Sequence, residues 1–448
     1  MNAQRSNKLG PYLVLTFVFF ILGLMTTING QCQGPLKVAF LEHAGVLKNT
    51  LATLISFCFF TGFLVNSVIS SRWINRYGYK TPLLRGLVVM VVSLLVYCLS
   101  SWVAESYSEV ALKIGDAVVP YGFFVFLLGS FLLGSSVALM QTVIIPYVSA
   151  YELPNTSTVQ RVNITCAANS FGTTVAPFFV TAVIFGGASL SNFEAGQLMM
   201  PFLVIAVFIA LTRFVVGRLP LPDIKNTRIE KGEADERSIW SFRHLKWGVI
   251  AIFFYVGAEM SVGMNVNLYA MELEKTGNGL SFFGKEHFIL WGMDLGIPAL
   301  LATLYWGGMM VGRITSGLFN NISPRIQLTV TTVLATILTL VAILTNNLWV
   351  LVSVGLCHSV MWGCIFTLAV KGLNKYTSKA SGVFMMGVFG GAVFPVLQGC
   401  FADALGSWRW TWMIVIVCEL VMLFYAQCGS RIRKEEVSEA DFRLKNVS

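Results

Sequence analysis

Residues 247–268 read WGVIAIFFYVGAEMSVGMNVNL, a continuous apolar run with one acid, Glu259, near its middle. The hydrocarbon core of a bilayer is about 30 Å thick and needs about 20 mostly apolar residues per helix. Since lipid offers no hydrogen bonds to the backbone, a segment of this kind has to satisfy its own backbone groups as a helix. The run therefore predicts a membrane-spanning α-helix.

The rest of the chain repeats this pattern. Of the 448 residues, 56% are hydrophobic and only 12% are charged, and the mean hydropathy is +0.72. Soluble domains carry roughly 25% charged residues. The sequence predicts an all-α membrane protein with twelve transmembrane helices, at about residues 11–33, 50–70, 84–103, 121–150, 163–187, 197–217, 246–270, 290–318, 328–346, 348–370, 380–403 and 410–428.

The distribution of basic residues predicts the orientation. The chain has 31 Lys and Arg residues and a formal net charge of +9. With a cytoplasmic N-terminus, the outward loops hold only Lys37, Lys48, Lys113, Lys275, Lys285 and Arg409. By the positive-inside rule this asymmetry predicts that both termini are cytoplasmic. The basic charge is then an orientation signal, and no nucleic-acid partner is expected.

Two short repeats indicate that the chain has two halves. Residues 171–177 read FGTTVAP and residues 389–395 read FGGAVFP, and Gln141-Thr142-Val143 recurs as His358-Ser359-Val360 at nearly the same separation. The pattern predicts two six-helix bundles, residues 1–218 and 246–430, with a cytoplasmic linker over 219–245 and a cytoplasmic tail over 431–448. Parallel halves around a midplane site resemble the plan of the major facilitator transporters.

The loop after the second predicted span strengthens that resemblance. Residues 71–80 read SRWINRYGYK and are similar to the facilitator loop GxLaDRxGRK, which Arg76, Gly78 and Lys80 match. The resemblance implies a gating role for these three residues. Asn75 stands where the family has an acid, so a charge pair proposed to latch the gate is missing.

Within the superfamily, the chain resembles the fucose/glucose–galactose permeases, which are sugar–proton symporters. The matching stretches are 141–142, 146–147, 161–163, 169–172, 255–259, 305–313, 359–362, 390–395, 398–399 and 402–403. The resemblance implies import of a monosaccharide (a hexose, a deoxyhexose or an N-acetylhexosamine) with protons, by alternating access. It also implies a multi-pass protein in the lipid bilayer of the bacterial inner membrane that works as a monomer.

Two departures from that family concern its acids. The permease pattern has Asn-Asp in the first span and Glu-Thr in the fourth, and those acids serve proton coupling and sugar binding. The matching positions here are Asn29-Gly30 and Gln141-Thr142. Glu259 therefore remains as the main acid near the expected cavity. The loss of both family acids keeps open an uncoupled sugar facilitator.

A sugar site needs a few amides or carboxylates for the hydroxyls and an aromatic ring for the C–H face, in an otherwise apolar pocket. The alternative for each amide is an interhelical hydrogen bond, worth about 0.6 kcal/mol on average. The substrate-binding candidates are Asn29, Gln31, Gln141, Asn169, Glu259, Asn265, Trp306, His358, Trp362 and Gln398.

Proton coupling is assigned to Glu259 and His358. An acid in the middle of a span costs roughly 2.5–3.5 kcal/mol on insertion scales and marks a functional site by default. The alternative for Glu259 is a protonated side chain that bonds to a neighbouring helix and has only a structural role. His358 is expected on the same half of the cavity, where it could hold or relay a proton with Glu259, or only bond a sugar hydroxyl or a backbone carbonyl. Glu419, in the last span, is interpreted as a protonated packing or interface residue.

Other classes of function have less support. The chain has no HExxH, GxSxG or nucleotide-binding motif, so an enzyme is not expected. The nine cysteines include no CxxC pair, and neither a metal site nor a cofactor is predicted. A membrane sensor remains a third hypothesis, although such a protein usually adds a soluble output domain. Residues 104–118 are expected to be an outward loop with a possible short amphipathic helix.

Overall fold

The computed structural model describes residues 2–107, 110–151, 153–154, 156, 158–184, 195–219, 238–277, 280–285, 287–290, 293–316, 322–373 and 376–432. Most of the predicted linker (220–237) and nearly all of the predicted tail (433–448) lie outside these residues.

Twelve helices among the described residues are long and apolar enough to cross a membrane, which confirms the predicted fold class. They are α1 to α12 in chain order, with successive segments of one span counted as one helix. Their bounds are Asn2–Gln31 with Gln33–Phe40, Lys48–Tyr77, Lys80–Ser106, Tyr121–Ala150, Thr158–Phe179 with Val180–Ile184, Met199–Arg218, Arg243–Lys275, Ile297–Ser316, Pro324–Thr345, Leu348–Val370, Thr377–Met386 with Gly387–Phe389 and Gly390–Leu405, and Arg409–Trp412 with Met413–Phe424 and Tyr425–Gly429.

The connections contain two antiparallel hairpins that the sequence analysis missed. Strands β1 (Ala111–Ile114) and β2 (Ala117–Pro120) join α3 to α4, where a short helix had been expected. Gly115 has a φ of +60° and forms the tight turn between the two strands, a position that suits glycine. Strands β3 (His287–Leu290) and β4 (Met293–Gly296) precede α8. The eighth span therefore begins at Ile297 and not at residue 290.

The two hairpins mark one face of the molecule, called here the hairpin face. Because each helix crosses the membrane once, the start of α1 and the end of α12 lie at the opposite, terminal face. Gly429, at the end of α12, lies close to Trp247, near the start of α7.

Serine hydroxyls hold α3 and α4 together at glycine contacts. Ser93 donates to the carbonyl of Gly129 (2.8 Å), Ser100 to that of Gly122 (2.7 Å), and Ser136 to that of Gly86 (2.8 Å). A glycine lets the neighbouring backbone come close enough for a short side chain to reach it. These bonds lie inside the N-terminal half, α1–α6.

The two halves meet closely at the hairpin face. The Asp403 carboxylate, at the end of α11, accepts hydrogen bonds from the N–H groups of Asn49 (3.0 Å) and Thr50 (2.7 Å) and from the Thr50 hydroxyl (2.6 Å). It thus caps the start of α2, which belongs to the other half. A Cβ added to Gly399 would lie 2.6 Å from the Thr53 hydroxyl, so α2 and α11 touch here. The space between the halves is therefore closed at this face.

Candidate functional site

Two amides connect α1 to α7 on the hairpin side. Gln31 Nε2 donates to the carbonyl of Gly263 (2.9 Å), and Asn267 Nδ2 donates to Gln31 Oε1 (3.2 Å). Both side chains are buried, and Asn267 Oδ1 has no partner among the described residues. A cavity of about 40 Å³ beside them is lined also by Thr181 and Pro298. It has room for a few water molecules but not for a sugar, as expected where the halves are closed.

Asn265 and Gln398 lie together inside the C-terminal half. Asn265 Nδ2 donates to Gln398 Oε1 (2.9 Å), and Gln398 Nε2 donates to the Thr411 hydroxyl (3.2 Å). The bonds join α7, α11 and α12, and both amides are fully buried. Asn265 Oδ1 is left without a partner in the described part of the chain. Here the amides act as interhelical bonds with one acceptor to spare.

Three further candidate amides belong to the N-terminal half. Asn29 Oδ1 accepts from the Tyr97 hydroxyl (2.6 Å), and Asn169 Nδ2 donates to the carbonyl of Phe19 (2.9 Å). Both bonds hold helices of the same half together. Gln141 is half-buried on α4.

Glu259 belongs to a charged group that links the two halves. Its Oε1 lies 3.5 Å from a guanidinium nitrogen of Arg313 on α8, and Arg313 also donates to the Ser170 hydroxyl on α5 (2.9 Å). The Arg313 side chain is 38% exposed, although it bonds to interior groups, whereas that of Glu259 is 8% exposed. The guanidinium therefore lines the space between the halves, and the carboxylate lies just behind it.

His358 does not bond directly to Glu259. Its Nδ1 lies 2.7 Å from the Tyr305 hydroxyl, and its Nε2 lies 2.7 Å from Oε1 of Glu419. The Tyr305 hydroxyl also lies 3.1 Å from the carbonyl oxygen of Glu259, so Tyr305 stands between the two predicted partners. Glu419 is fully buried and faces α10, which gives it a specific polar partner beyond the packing role expected of it.

Two tryptophans lie on either side of this group. The Trp306 ring packs against Gly263, where an added Cβ would come within 2.5 Å of it, and its indole N–H is buried without a partner among the described residues. Trp362 is half-buried and meets Tyr255 edge to face, with ring centres 6.2 Å apart. Either ring can offer a face to a sugar, and Trp306 can also donate a hydrogen bond.

The loop with the predicted gating residues packs within the N-terminal half. Lys80 Nζ donates to the carbonyl of Leu219 at the end of α6 (2.9 Å). Gly78 has a φ of +71° and ends α2, and Arg76 lies over the ring of Tyr77 at 5.3 Å. The Lys80 hydrogen bond ties the end of the loop to the end of α6, and the part of the loop in gating stays a prediction.

Sequence reasoning missed four residues of this site: Tyr255, Tyr305 and Arg313 were not candidates, and Glu419 was assigned to packing. Arg313 could have been found by the criterion used for Glu259, since it is a charge inside a predicted span. The two tyrosines carry no comparable signal, because buried tyrosines are common in helix packing.

The family model described as Major Facilitator Superfamily matches residues 15–394. The chain belongs to this superfamily.

Similar proteins show to which family within this superfamily the chain belongs. It is 32% identical over 424 residues to a glucose/galactose transporter of Brucella abortus, with 93% of each chain covered. It is 30% identical to a putative glucose/galactose transporter of Helicobacter pylori (93% and 95% covered) and 22% identical to the L-fucose-proton symporter of Escherichia coli (96% and 95%). The resemblance to the fucose/glucose–galactose permeases is thus confirmed, and the chain is a member of that family.

Solved structures agree on the fold. The Escherichia coli fucose:proton symporter superposes with a TM-score of 0.61 at 20% identity, covering 95% of this chain and 100% of that one. The xylose transporter XylE of Escherichia coli in an inward open conformation gives a TM-score of 0.68 at 14% identity (97% and 98% covered).

Proposed function

We propose that this protein imports a monosaccharide together with protons, by alternating access of its two halves. The observation that carries the proposal is the buried Glu259 carboxylate, paired with Arg313, which in turn bonds to Ser170 in the other half. The electrostatic interactions of such a group change when a ligand enters the space between the halves, and they change again when the halves move relative to each other. The names of the relatives, sugar transporters and sugar–proton symporters, support a sugar as the substrate.

The sugar site is proposed between the halves, next to Glu259. Among the buried polar atoms without a partner in the described residues are Asn265 Oδ1, Asn267 Oδ1 and Trp306 Nε1 on α7 and α8. A buried polar atom without a partner is costly, and a bound ligand is one reason to keep it. Sugar hydroxyls can both donate and accept, so they can serve all three atoms once a small rotation of the halves brings the sugar within reach.

The remaining candidates have proposed roles of a similar kind. Gln31, Gln141, Gln398 and Trp362 would contact a hexose, a deoxyhexose or an N-acetylhexosamine. Asn29 and Asn169 would do so after exchanging their present partners. Glu259 and His358 are the proposed coupling groups. The hairpin face is then the outer face of a bacterial inner membrane, and the monomer is the working unit.

An uncoupled facilitator is the second candidate function. The observation that favours it is the presence of Gly30 and Gln141 where the family has acids. In that case Glu259 binds sugar through its carboxylate and never releases a proton.

Sugar uptake into proteoliposomes tests both proposed functions, proton-coupled symport and uncoupled facilitation. The sugars are D-glucose, D-galactose, L-fucose and N-acetyl-D-glucosamine, each with and without an inward proton gradient. Symport predicts uphill accumulation that a protonophore abolishes, while uptake that only equilibrates supports the facilitator. Glu259→Gln should lose accumulation but keep exchange of internal for external sugar. Glu42→Gln, at an exposed acid in the loop after α1, is the matched control.

A further inference from the structure

We propose that His358 and Glu419 form a buried proton-binding site behind the sugar site, and that the Tyr305 hydroxyl links its proton to α7. The assignment rests on the proposed symport, for which it names the group that stores the proton. The site is built from α8, α10 and α12, and Tyr305 connects it to α7 at Glu259, which lies beside Arg313.

The count of hydrogen atoms supports this site. The Tyr305 hydroxyl has one hydrogen and two neighbours, the carbonyl oxygen of Glu259 and Nδ1 of His358. A carbonyl can only accept, so when the hydroxyl donates to it, Nδ1 has to carry a hydrogen and donate to the hydroxyl oxygen. The 2.7 Å contact between His358 Nε2 and Glu419 Oε1 requires one more proton between them. With all contacts satisfied, the pair therefore holds two protons and has no net charge.

Release of one proton changes these bonds in a defined order. The one remaining proton has to stay on Nε2, because otherwise a nitrogen lone pair would face the Glu419 carboxylate. Nδ1 then becomes an acceptor, and the Tyr305 hydroxyl turns towards it and leaves the carbonyl of Glu259. The N–H bond at Nδ1 breaks, and its proton goes to water between the halves. Loss of the proton thus removes a bond between α7 and α8.

Burial keeps the proton on the His358–Glu419 pair as long as the pair is shielded from water. His358 and Glu419 are both fully buried, and Glu419 Oε2 has no partner among the described residues. Without the proton, the pair would be an uncompensated buried negative charge, which is strongly unfavourable. Release therefore requires a change in the surroundings, such as the movement of Arg313 when sugar arrives or departs.

The titratable groups around the pair are few. On α7 they are Glu259 and Tyr255, whose hydroxyl donates to the carbonyl of His358 (3.0 Å), and on α8 they are Tyr305 and Arg313. The neighbouring residues on α10 and α12 add the thiols Cys357 and Cys418. The buried side chains of α9, which packs against α10 and α12, are not titratable. Glu259 has a cation beside it, so the pair is the better proton store.

Transport by variants tests the assignment, using whichever of the four sugars the wild type accumulates. Glu419→Gln should lose accumulation and sugar-driven proton uptake, while exchange of internal for external sugar stays within about twofold of wild type. Tyr305→Phe should weaken coupling without abolishing exchange, because Tyr305 only positions the proton. Glu272→Gln, at a partly buried acid on α7 outside this group, is the control. Full accumulation by Glu419→Gln would overturn the proposal and leave symport itself intact.

A second measurement observes the wild-type protein and does not depend on transport. Nitrogen-15 spectra of histidine-labelled wild-type protein in membranes report which ring nitrogen carries hydrogen, and loss of a signal in His358→Gln assigns it. The expected result is that Nδ1 loses its hydrogen as the pH rises while Nε2 keeps its own. A ring whose protonation stays constant over the pH range of uptake would overturn the assignment, even if no tested sugar is accumulated.

Discussion

Asp403→Asn should open the hairpin face. The carboxylate accepts two backbone N–H groups and one hydroxyl at the start of α2. Hydrogen bonds to a charged group contribute about 1.5–3 kcal/mol each, and a charge at a helix N-terminus adds about 0.3–1 kcal/mol. Asparagine keeps one acceptor oxygen but brings an NH₂ group against an N–H donor. We expect a loss of about 1.5–3 kcal/mol, which lowers the ratio of closed to open molecules roughly 10- to 100-fold.

Electron–electron distance measurements between spin labels can detect this shift. Asp116, in the turn of the first hairpin, and Phe283, which is 91% exposed, lie in opposite halves and can be replaced by cysteine for labelling. The exposed native cysteines Cys166, Cys400 and Cys428 are first changed to serine. In Asp403→Asn the population at longer distances should grow.

Two further variants make the test specific. Thr50→Val removes one of the three bonds and should give an intermediate shift of about 1 kcal/mol. Glu42→Gln, at an exposed acid on the same face, should change nothing. If Asp403→Asn gives the same distance distribution as wild type, this cap does not hold the face closed.

Three other changes probe the packing, each read out as thermal stability of the purified protein. Arg313→Met leaves the Glu259 carboxylate without its cation and should cost about 3–5 kcal/mol, much of it recovered when Glu259→Gln is added; no recovery would contradict the ion pair. Lys80→Met removes the hydrogen bond to the carbonyl of Leu219, directly after α6, and should cost about 1 kcal/mol. Gly390→Ala would place a Cβ 1.7 Å from a carbonyl oxygen of α7 and should cost at least about 2 kcal/mol, whereas Gly363→Ala, with no atom within 4 Å, should be nearly neutral.

Long apolar runs made the twelve spans predictable, because a bilayer requires one helix per run. The hairpins were harder to predict, since β1 and β3 have only four residues each and join spans that already explain the composition. Glu259 stood out because an isolated acid is conspicuous in an apolar segment. Its partner Arg313 lies close to the end of α8, where a charge is less conspicuous.

The sequence could not show which polar side chains of the site contact one another. Whether Glu419 faces lipid or α10 depends on the rotation of α12 about its own axis, and its apolar residues surround that helix on every side. The distance between His358 and Glu259 could not be predicted from the sequence either, because it depends on the position of Tyr305 between them. A single sequence gives the chemical groups of the site, but helix rotation decides which of them share a proton.

The three serine-to-glycine bonds between α3 and α4 have a mechanical consequence. They lie at successive depths in the membrane, so a slide of one helix along the other by a single residue, about 1.5 Å, would break all three together. Shear inside this pair is therefore blocked, and displacement during a transport cycle is left to the seam between the bundles. The N-terminal half can then move as one rigid body, because the three hydroxyl bonds fix the register of α3 against α4.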